Sequence, residues 1–404
     1  MKTAQFRHHF SIPRQADGQP KQYFCGNSLG LMPDSARQAV ELELDRWSAL
    51  GVDGHFNGDP AWLGYHRILD DVLATLTGAK PVEICAMGTL TTNLHLGMIS
   101  FYRPEGRKRK ILIEHGAFPS DRYAMVSQLA LYGFDAEHDL IELTADESGL
   151  IDDERVVQAI EHHAEDLALV LWPGVQYSSG QRFDMARICR AARTAGVPIG
   201  LDLAHAIGNV PLALNAWAPD FAVWCSYKYL NGGPGAVAGL FVAERHADFK
   251  GPRLAGWWGH DESSRFMMGP DFEPAPGAEG WQISGAPILN LAALAGSLSL
   301  YREAGIASLQ EASVDLTAHF IEQLKTCTAV QIVTPVEPER RGCQLSIRLH
   351  SGRSNGRRLF EQLGVNGVVG DWREPDLIRL APTPMYNTLA EVEHVAALIE
   401  SVAA

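Results

Sequence analysis

The chain is poor in cysteine, in long apolar runs and in basic charge, and each shortage excludes a class of protein. Six cysteines (Cys25, Cys85, Cys189, Cys225, Cys327 and Cys343) are scattered over 404 residues. No CxxC pair occurs among them, so they are read as reduced, buried thiols rather than a disulfide framework or a metal site. The most apolar stretch, 286–301, is interrupted by Asn290 and by glycine and serine. It falls short of the about 18 residues a membrane span needs, so a core helix is expected there and no membrane partner. Residues 1–10 are polar where a secretion signal would carry an apolar run of about 7 to 15, so no export and a cytoplasmic location are expected. Lys and Arg number 34 against 48 Asp and Glu, a formal net charge of −14. Such a surface repels a phosphate backbone, which argues against nucleic acid as the partner. The chain also lacks a Gly-x-Ser-x-Gly elbow, a P-loop and a complete GxGxxG with its acidic ribose ligand, so hydride and phosphoryl transfer lose ground. His8-His9 and His162-His163 lack metal-ligand spacing and read as surface residues, and no metal is expected.

What is present is a globular composition, 46% hydrophobic and 20% charged, long enough for two domains. Short β-branched or leucine-rich runs at 111–114, 167–171, 198–201 and 221–225 read as buried strands. Between them, 152–163 and 184–195 carry apolar residues at helical spacing and open on an aspartate suited to a helix start. Alternation of this kind predicts an α/β fold, a mostly parallel central sheet with helices on both faces, plus a smaller α+β domain. The expected division is 1–55 as an N-terminal segment packing with the small domain, 56–285 as the large domain, and 286–404 as the small one. Within the last, a long helix from 287, a helix at 313–327 and strands at 330–333 and 344–349 are predicted.

The segment Asp202-Leu203-Ala204-His205 follows one predicted strand, and Ser226-Tyr227-Lys228-Tyr229 follows the next. Carboxyl ends of strands in an open α/β sheet are where ligands bind, so Asp202 and Lys228 should face one crevice. A desolvated lysine there is an amine nucleophile toward an aldehyde, and a nearby carboxylate can hold a pyridinium nitrogen protonated. Together the pair points to pyridoxal phosphate, although each alone is a common surface feature. Gly88-Thr89-Leu90-Thr91 reads as a turn opening a helix whose first amides and hydroxyls suit a phosphate, or as an ordinary helix cap. Phe118, ahead of Ser120 and Asp121, can stack on a flat ring or sit in a core.

These segments closely resemble the kynureninases, a family of fold-type I pyridoxal phosphate enzymes. Asp202-Leu203-Ala204-His205 and Cys225-Ser226-Tyr227-Lys228-Tyr229-Leu230-Asn231 carry the likeness most specifically. Gly26-Asn27-Ser28-Leu29-Gly30, Gly256-Trp257-Trp258-Gly259-His260, Arg341-Gly342-Cys343-Gln344-Leu345, Val368-Val369-Gly370-Asp371-Trp372-Arg373 and Ile378-Arg379-Leu380-Ala381-Pro382 extend it nearly end to end. The resemblance implies the fold-type I transferase fold and hydrolysis of L-kynurenine to anthranilate and L-alanine in tryptophan catabolism, with pyridoxal 5'-phosphate as cofactor. It makes Lys228 the Schiff-base lysine and carrier of the Cα proton, places Asp202 on the ring nitrogen and puts His205 beside the ring. Leu90, Thr91, Phe118, Ser120, Asp121 and Tyr227 match positions around the ring and phosphate. Tyr227 is either the acid-base group or a structural phosphate ligand. Trp257 and Gly285 match contacts the family draws from a neighbouring subunit, which implies a homodimer. Arg379 matches the arginine that grips the substrate carboxylate, with Asn27, Ser28, His55 and Ser284 around the substrate. Two departures stand out. Pro173 replaces a small hydroxylic residue, and Gly285 offers no side chain to a ring hydroxyl, which favours kynurenine over 3-hydroxykynurenine. The competing readings are another fold-type I enzyme, such as a cysteine desulfurase or an aminotransferase, and a cofactor-binding protein without turnover.

Overall fold

Residues 4–403 are described by a computed structural model; 1–3 and 404, including the start of the polar amino terminus, lie outside the described residues. Seven strands form the central sheet in the order Ile84–Ala86, Gly239–Val242, Phe221–Trp224, Ile199–Asp202, Leu167–Pro173, Lys110–Glu114 and Leu140–Leu143. All run the same way except Gly239–Val242, which pairs antiparallel with both neighbours. Side chains alternate between faces along each strand. Leu112, Val170, Trp172, Leu201 and Trp224 therefore join one apolar core. Ile111, Ile113, Leu169, Leu171 and Val223 join the other. Both faces are buried, which is why the parallel strands read as unbroken apolar runs.

Helices Asp153–His162 and Met185–Thr194 cover the first face, burying Val156, Ile160, Ile188 and Cys189. Their starts are fixed as the sequence predicts. The Asp152 side chain accepts from the Glu154 amide at 2.8 Å and Asp184 from that of Arg187 at 3.0 Å. Helices Leu90–Phe101 and Pro119–Leu131 cover the second face through Leu94, Met98, Met125 and Leu129.

A second, antiparallel sheet joins Val330–Ile332, Leu345–Leu349, Leu377–Leu380 and Asp371–Arg373, in that order. Helices Ile306–Leu324, Arg353–Val365 and Leu389–Ala403 pack on it. Gln22–Tyr23 pairs in parallel with Val368–Val369, and Phe24 is buried in the core of this smaller sheet. Helix Asp34–Leu50, by contrast, packs against helix Ile288–Ala304, whose Leu291, Leu294 and Leu298 belong to the core of the large sheet. The apolar 286–301 stretch is thus a core helix, and no helix among the described residues is long and apolar enough to cross a membrane. The helix expected at 313–327 starts earlier, at Ile306, and ends at Leu324, leaving Cys327 in the turn beyond it and Cys343 just ahead of Leu345–Leu349. All six cysteines are free and buried.

Candidate active site

Four adjacent parallel strands end at one crevice. Phe221–Trp224 leads into Tyr227 and Lys228, Ile199–Asp202 supplies Asp202, Leu167–Pro173 supplies Pro173, and Lys110–Glu114 supplies Glu114. The crevice holds a cavity of about 190 Å³. Leu90, Thr91, Phe118, Ser120, Asp121, His205 and Tyr227 line it together with Asp202 and Lys228, so nine of the residues singled out from sequence meet at one place. A larger cavity of about 780 Å³ lies between Leu29–Met32, helix Asp34–Leu50 and Gly232–Pro234. Its walls are mostly apolar, with Arg37 and Glu41 among the lining, and none of Lys228, Asp202 or His205 reaches it.

The backbone that presents Lys228 is held from below by a tight approach. The Gly30 amide donates to the Tyr227 carbonyl at 2.8 Å, and a Cβ at Gly30 would lie 2.3 Å from the Lys228 carbonyl oxygen. Only glycine fits there. Asn231, three residues on, adopts a positive φ of 54° and donates to the Leu31 carbonyl at 3.0 Å.

Inside the pocket, Lys228 Nζ stands 2.9 Å from His205 Nε2. Burial first, and then the lysine, hold the His205 imidazole well below its usual pKa, so the ring is neutral. Asp202 accepts from the Ala204 amide at 2.7 Å and also meets Asp121. Burial, then Asp202 and Glu114, push the Asp121 carboxyl well above the ordinary range, against the pull of Lys228. Asp121 therefore keeps a proton to donate to Asp202. The Tyr227 hydroxyl is pushed up by burial and by its contact with Cys225. It remains a donor across the neutral range.

At the phosphate-suited end, Thr91 Oγ1 and Ser120 Oγ lie 2.7 Å apart. Leu90 and Thr91 open a twelve-residue helix whose first-turn amides have no carbonyl of their own helix to bond. Phe118 is 41% exposed and its ring centroid is 5.9 Å from Lys228 Nζ, so the ring faces the pocket rather than the core. Three buried polar atoms on the pocket wall, Asp121 Oδ1, His205 Nδ1 and Glu114 Oε2, have no partner among the described residues. A flat, phosphorylated pyridine suits this site, since its ring N–H meets the carboxyl wall and its phosphate meets the first-turn amides of helix Leu90–Phe101.

Arg379 lies beside the pocket, reached through Tyr177. Its guanidinium carbon is 6.0 Å from the Tyr177 ring centroid, and Nη1 donates to the Tyr177 carbonyl at 2.6 Å. Asp371 takes the other edge of the fork, with Nε to Oδ1 at 2.5 Å and Nη2 to Oδ2. Burial raises the Asp371 carboxyl, but the hydrogen bonds and charge of Arg379 outweigh it and hold the group below the usual range. Ser28 bonds to both partners, and Arg373 adds a contact to Asp371 at 3.0 Å. Two guanidiniums against one carboxylate leave a net positive charge at this end of the site. Asn27 is fully buried and donates to Gln344 Oε1 at 3.2 Å.

This chain is 53% identical over 401 residues to a kynureninase of Xanthomonas axonopodis pv. citri (strain 306), covering 98% of this chain and 95% of that one. A kynureninase of Stenotrophomonas maltophilia (strain K279a) is 52% identical over 399 residues, covering 98% and 94%. The chain belongs to the kynureninase family. The family model of the kynureninase C-terminal domain matches residues 309–399. Among solved structures, a cysteine desulfurase from Thermococcus onnurineus NA1 superposes with a TM-score of 0.81 at 16% identity, covering 99% of this chain and 98% of that one. A cystine C–S lyase in complex with its reaction product cysteine persulfide gives 0.80 at 18% identity, covering 94% and 97%. At that distance the likeness is one of fold, and it places the chain in the fold-type I class.

Seven of the residues matched to kynureninases do not line the Lys228 pocket of their own chain: Arg379, Asn27, Ser28, Trp257, Gly285, His55 and Ser284. Trp257 is 47% exposed, its ring packing on Phe266 at 5.4 Å. Gly285 and Ser284 are exposed, with Gly285 over the Trp258 ring. His55 sits edge-on to Trp62 at 5.7 Å. Conversely, sequence reasoning passed over Glu114, Tyr177 and the Asp371–Arg373 partners of Arg379. Glu114 was within reach, because it ends a parallel strand as Asp202 does. Tyr177 belongs to a loop and Asp371 to another sheet, and neither carries a local signal.

Proposed function

We propose that this chain hydrolyses L-kynurenine to anthranilate and L-alanine with pyridoxal phosphate held at Lys228, in tryptophan catabolism. The observation that carries the reading is the meeting of Lys228, Asp202, Asp121 and His205 in one pocket of a chain 53% identical to a kynureninase. When bound, pyridoxal phosphate supplies an electron sink for charge released at the substrate's Cα and Cβ. Lys228 Nζ carries the proton to and from Cα, and neutral His205, 2.9 Å away, accepts from the amine without competing for charge. Asp202, fed a hydrogen bond by protonated Asp121, keeps a proton on a ring nitrogen placed against it. Thr91, Ser120 and the first amides of helix Leu90–Phe101 take the phosphate. The Tyr227 hydroxyl, protonated across the neutral range, assists as general acid at the γ-oxygen, an effect typically worth about 10² to 10⁴-fold. Arg379 takes the α-carboxylate with the N–H groups not given to Asp371 or the Tyr177 carbonyl, exchanging its bond to Ser28, with Asn27 nearby in sequence.

The same reading makes the chain a homodimer whose partner subunit completes the site with Trp257 and Gly285, and places His55 and Ser284 near the substrate ring. It is supported by the exposure of Trp257 and of its neighbours Phe266, Met267 and Met268. Unhydroxylated kynurenine is the preferred substrate, since Gly285 has no side chain to pair with a ring hydroxyl. The division at 55 and 285 is kept, supported by the pairing of 22–23 with 368–369, while helices Asp34–Leu50 and Ile288–Ala304 bind the units together. A desulfurase would need a reactive thiol, and burial raises Cys25 to about 11 and Cys189 and Cys343 to about 12.

The test is to load the purified protein with pyridoxal phosphate, add kynurenine, and follow anthranilate fluorescence, then repeat with 3-hydroxykynurenine. Turnover of cysteine with product from neither kynurenine would overturn the assignment. Borohydride should fix the cofactor to Lys228, and Lys228→Ala should lose that adduct and nearly all activity.

A further inference from the structure

The pocket holds one carboxyl that the mechanism above does not use. Glu114, the last residue of strand Lys110–Glu114, is 3% exposed and lines the cavity, with Oε2 unpartnered. Its Oε1 accepts from Gln176 Nε2 at 3.4 Å, the one hydrogen bond that amide makes among the described residues. The Gln176 carbonyl oxygen is taken up by its own turn, accepting from the Ser178 amide at 2.6 Å, the Ser179 amide at 2.9 Å and the Ser178 hydroxyl at 2.8 Å. Gln176 is thus a clip between the strand end and the turn.

The turn presents its carbonyls to the other sheet. The Tyr177 oxygen accepts from Arg379 Nη1 at 2.6 Å and from Gln344 Nε2 at 3.0 Å, and the Ser178 oxygen accepts from Ser346 Oγ. Ser346 lies opposite Arg379 in the strand register. One continuous line of hydrogen bonds therefore runs from the floor of the lysine pocket to the arginine.

We propose that Glu114 is a positioning residue: it holds the Gln176–Ser179 turn and thereby sets where the Tyr177 carbonyl aims Arg379. The inference rests on the reading that Arg379 receives the substrate carboxylate. Three carboxyls face this cavity: Glu114 from its strand, Asp202 from strand Ile199–Asp202 on the far side of Leu167–Pro173, and Asp121 from helix Pro119–Leu131. The other titratable groups on its wall are Lys228, neutral His205, Tyr177 and Tyr227. A further negative charge beside Asp202 is unfavourable there. Burial, opposed by the Gln176 bond and reinforced by Asp202, moves the Glu114 carboxyl to about 8. Ionisation above that pH adds an anion to a site that must take a phosphate and a carboxylate, so binding of the substrate weakens.

Two variants separate the roles. Glu114→Leu removes the acceptor, whereas Glu114→Gln keeps an acceptor for Gln176 and cannot ionise. Hydrogen exchange of the cofactor-free protein, followed by mass spectrometry over 174–182, reads the clip without any turnover. Glu114→Leu should speed exchange there at least tenfold and Glu114→Gln should stay near wild type. With the loaded enzyme, Glu114→Leu should raise KM for kynurenine at least tenfold while kcat changes less than threefold. Wild type should show KM rising above pH 8, and Glu114→Gln should lack that rise. Wild-type exchange and KM in Glu114→Leu would overturn the proposal; so would faster exchange with unchanged KM, which cuts the link to Arg379. Should Glu114→Leu fail to fold, an alkaline rise in KM that persists in Glu114→Gln decides against it. If wild type releases no anthranilate, the assigned reaction fails, and the exchange result still judges the clip.

Discussion

Arg379 is fully buried, and a guanidinium cannot shed its proton, so its position depends on groups that compensate the charge in place. Asp371 does so along one edge of the fork, Ser28 sharing Nη2 with it and the Tyr177 carbonyl accepting from Nη1. Removing one partner of a buried pair leaves the other charged and desolvated, at a cost of about 3–5 kcal/mol. Arg373 still contacts Asp371, so Arg379→Ala should fall at the lower end, about 3 kcal/mol in urea unfolding, and should also raise KM for kynurenine far more than it lowers kcat. Arg379→Lys keeps the charge but loses the fork, so it should recover stability while KM stays raised. Unchanged KM in both variants would remove the arginine from substrate binding. The role proposed for Arg379 comes only from family resemblance. Nothing local in the sequence pairs it with Asp371, because that pairing depends on the antiparallel register that sets the two opposite each other.

At the scale of elements, the parallel core was legible because each strand is buried on both faces and its residues are apolar throughout. Strands at 110–114, 167–173, 199–202 and 221–224 and the helices between them fall within a few residues of their expected places. The edge strands Ile84–Ala86 and Leu140–Leu143 and the reversed strand Gly239–Val242 did not stand out. They are three or four residues long, and direction within a sheet is decided by crossovers rather than by composition. Helix starts were legible from chemistry, and that is open to measurement. Asp184 is exposed, caps helix Met185–Thr194 and is not among the residues lining the lysine pocket. Asp184→Ala should lower unfolding stability by about 1 kcal/mol and leave KM and kcat unchanged. A loss below the error of the measurement would mean that the capping bond adds nothing beyond what water supplies.

At the scale of the whole molecule, the lysine pocket gathers nine of the predicted residues yet leaves out Trp257 and Gly285. No single-chain pattern could have shown where these two go, since a residue that serves another subunit's site looks on its own chain like an exposed apolar side chain. Trp257 lies in such a patch, with Phe266 against it and Met267 and Met268 exposed beyond. In the symmetric dimer proposed above, each site would take Lys228 from one subunit and Trp257 from the other, so two inactive variants should repair one another. Lys228→Ala and Trp257→Ala are each expected to be nearly inactive as homodimers. In the mixed dimer, one site combines both lesions and is dead, whereas the other pairs an intact Lys228 with an intact Trp257 and is wild type. Unfolding and refolding the two variants together at equal concentration gives about half mixed dimers by random pairing, each with one working site in two. Kynurenine turnover should therefore return to roughly a quarter of the wild-type rate per subunit, with wild-type KM. Activity that stays at the level of the separate variants, in a sample shown to contain mixed dimers, would place Trp257 in its own subunit's site or in none.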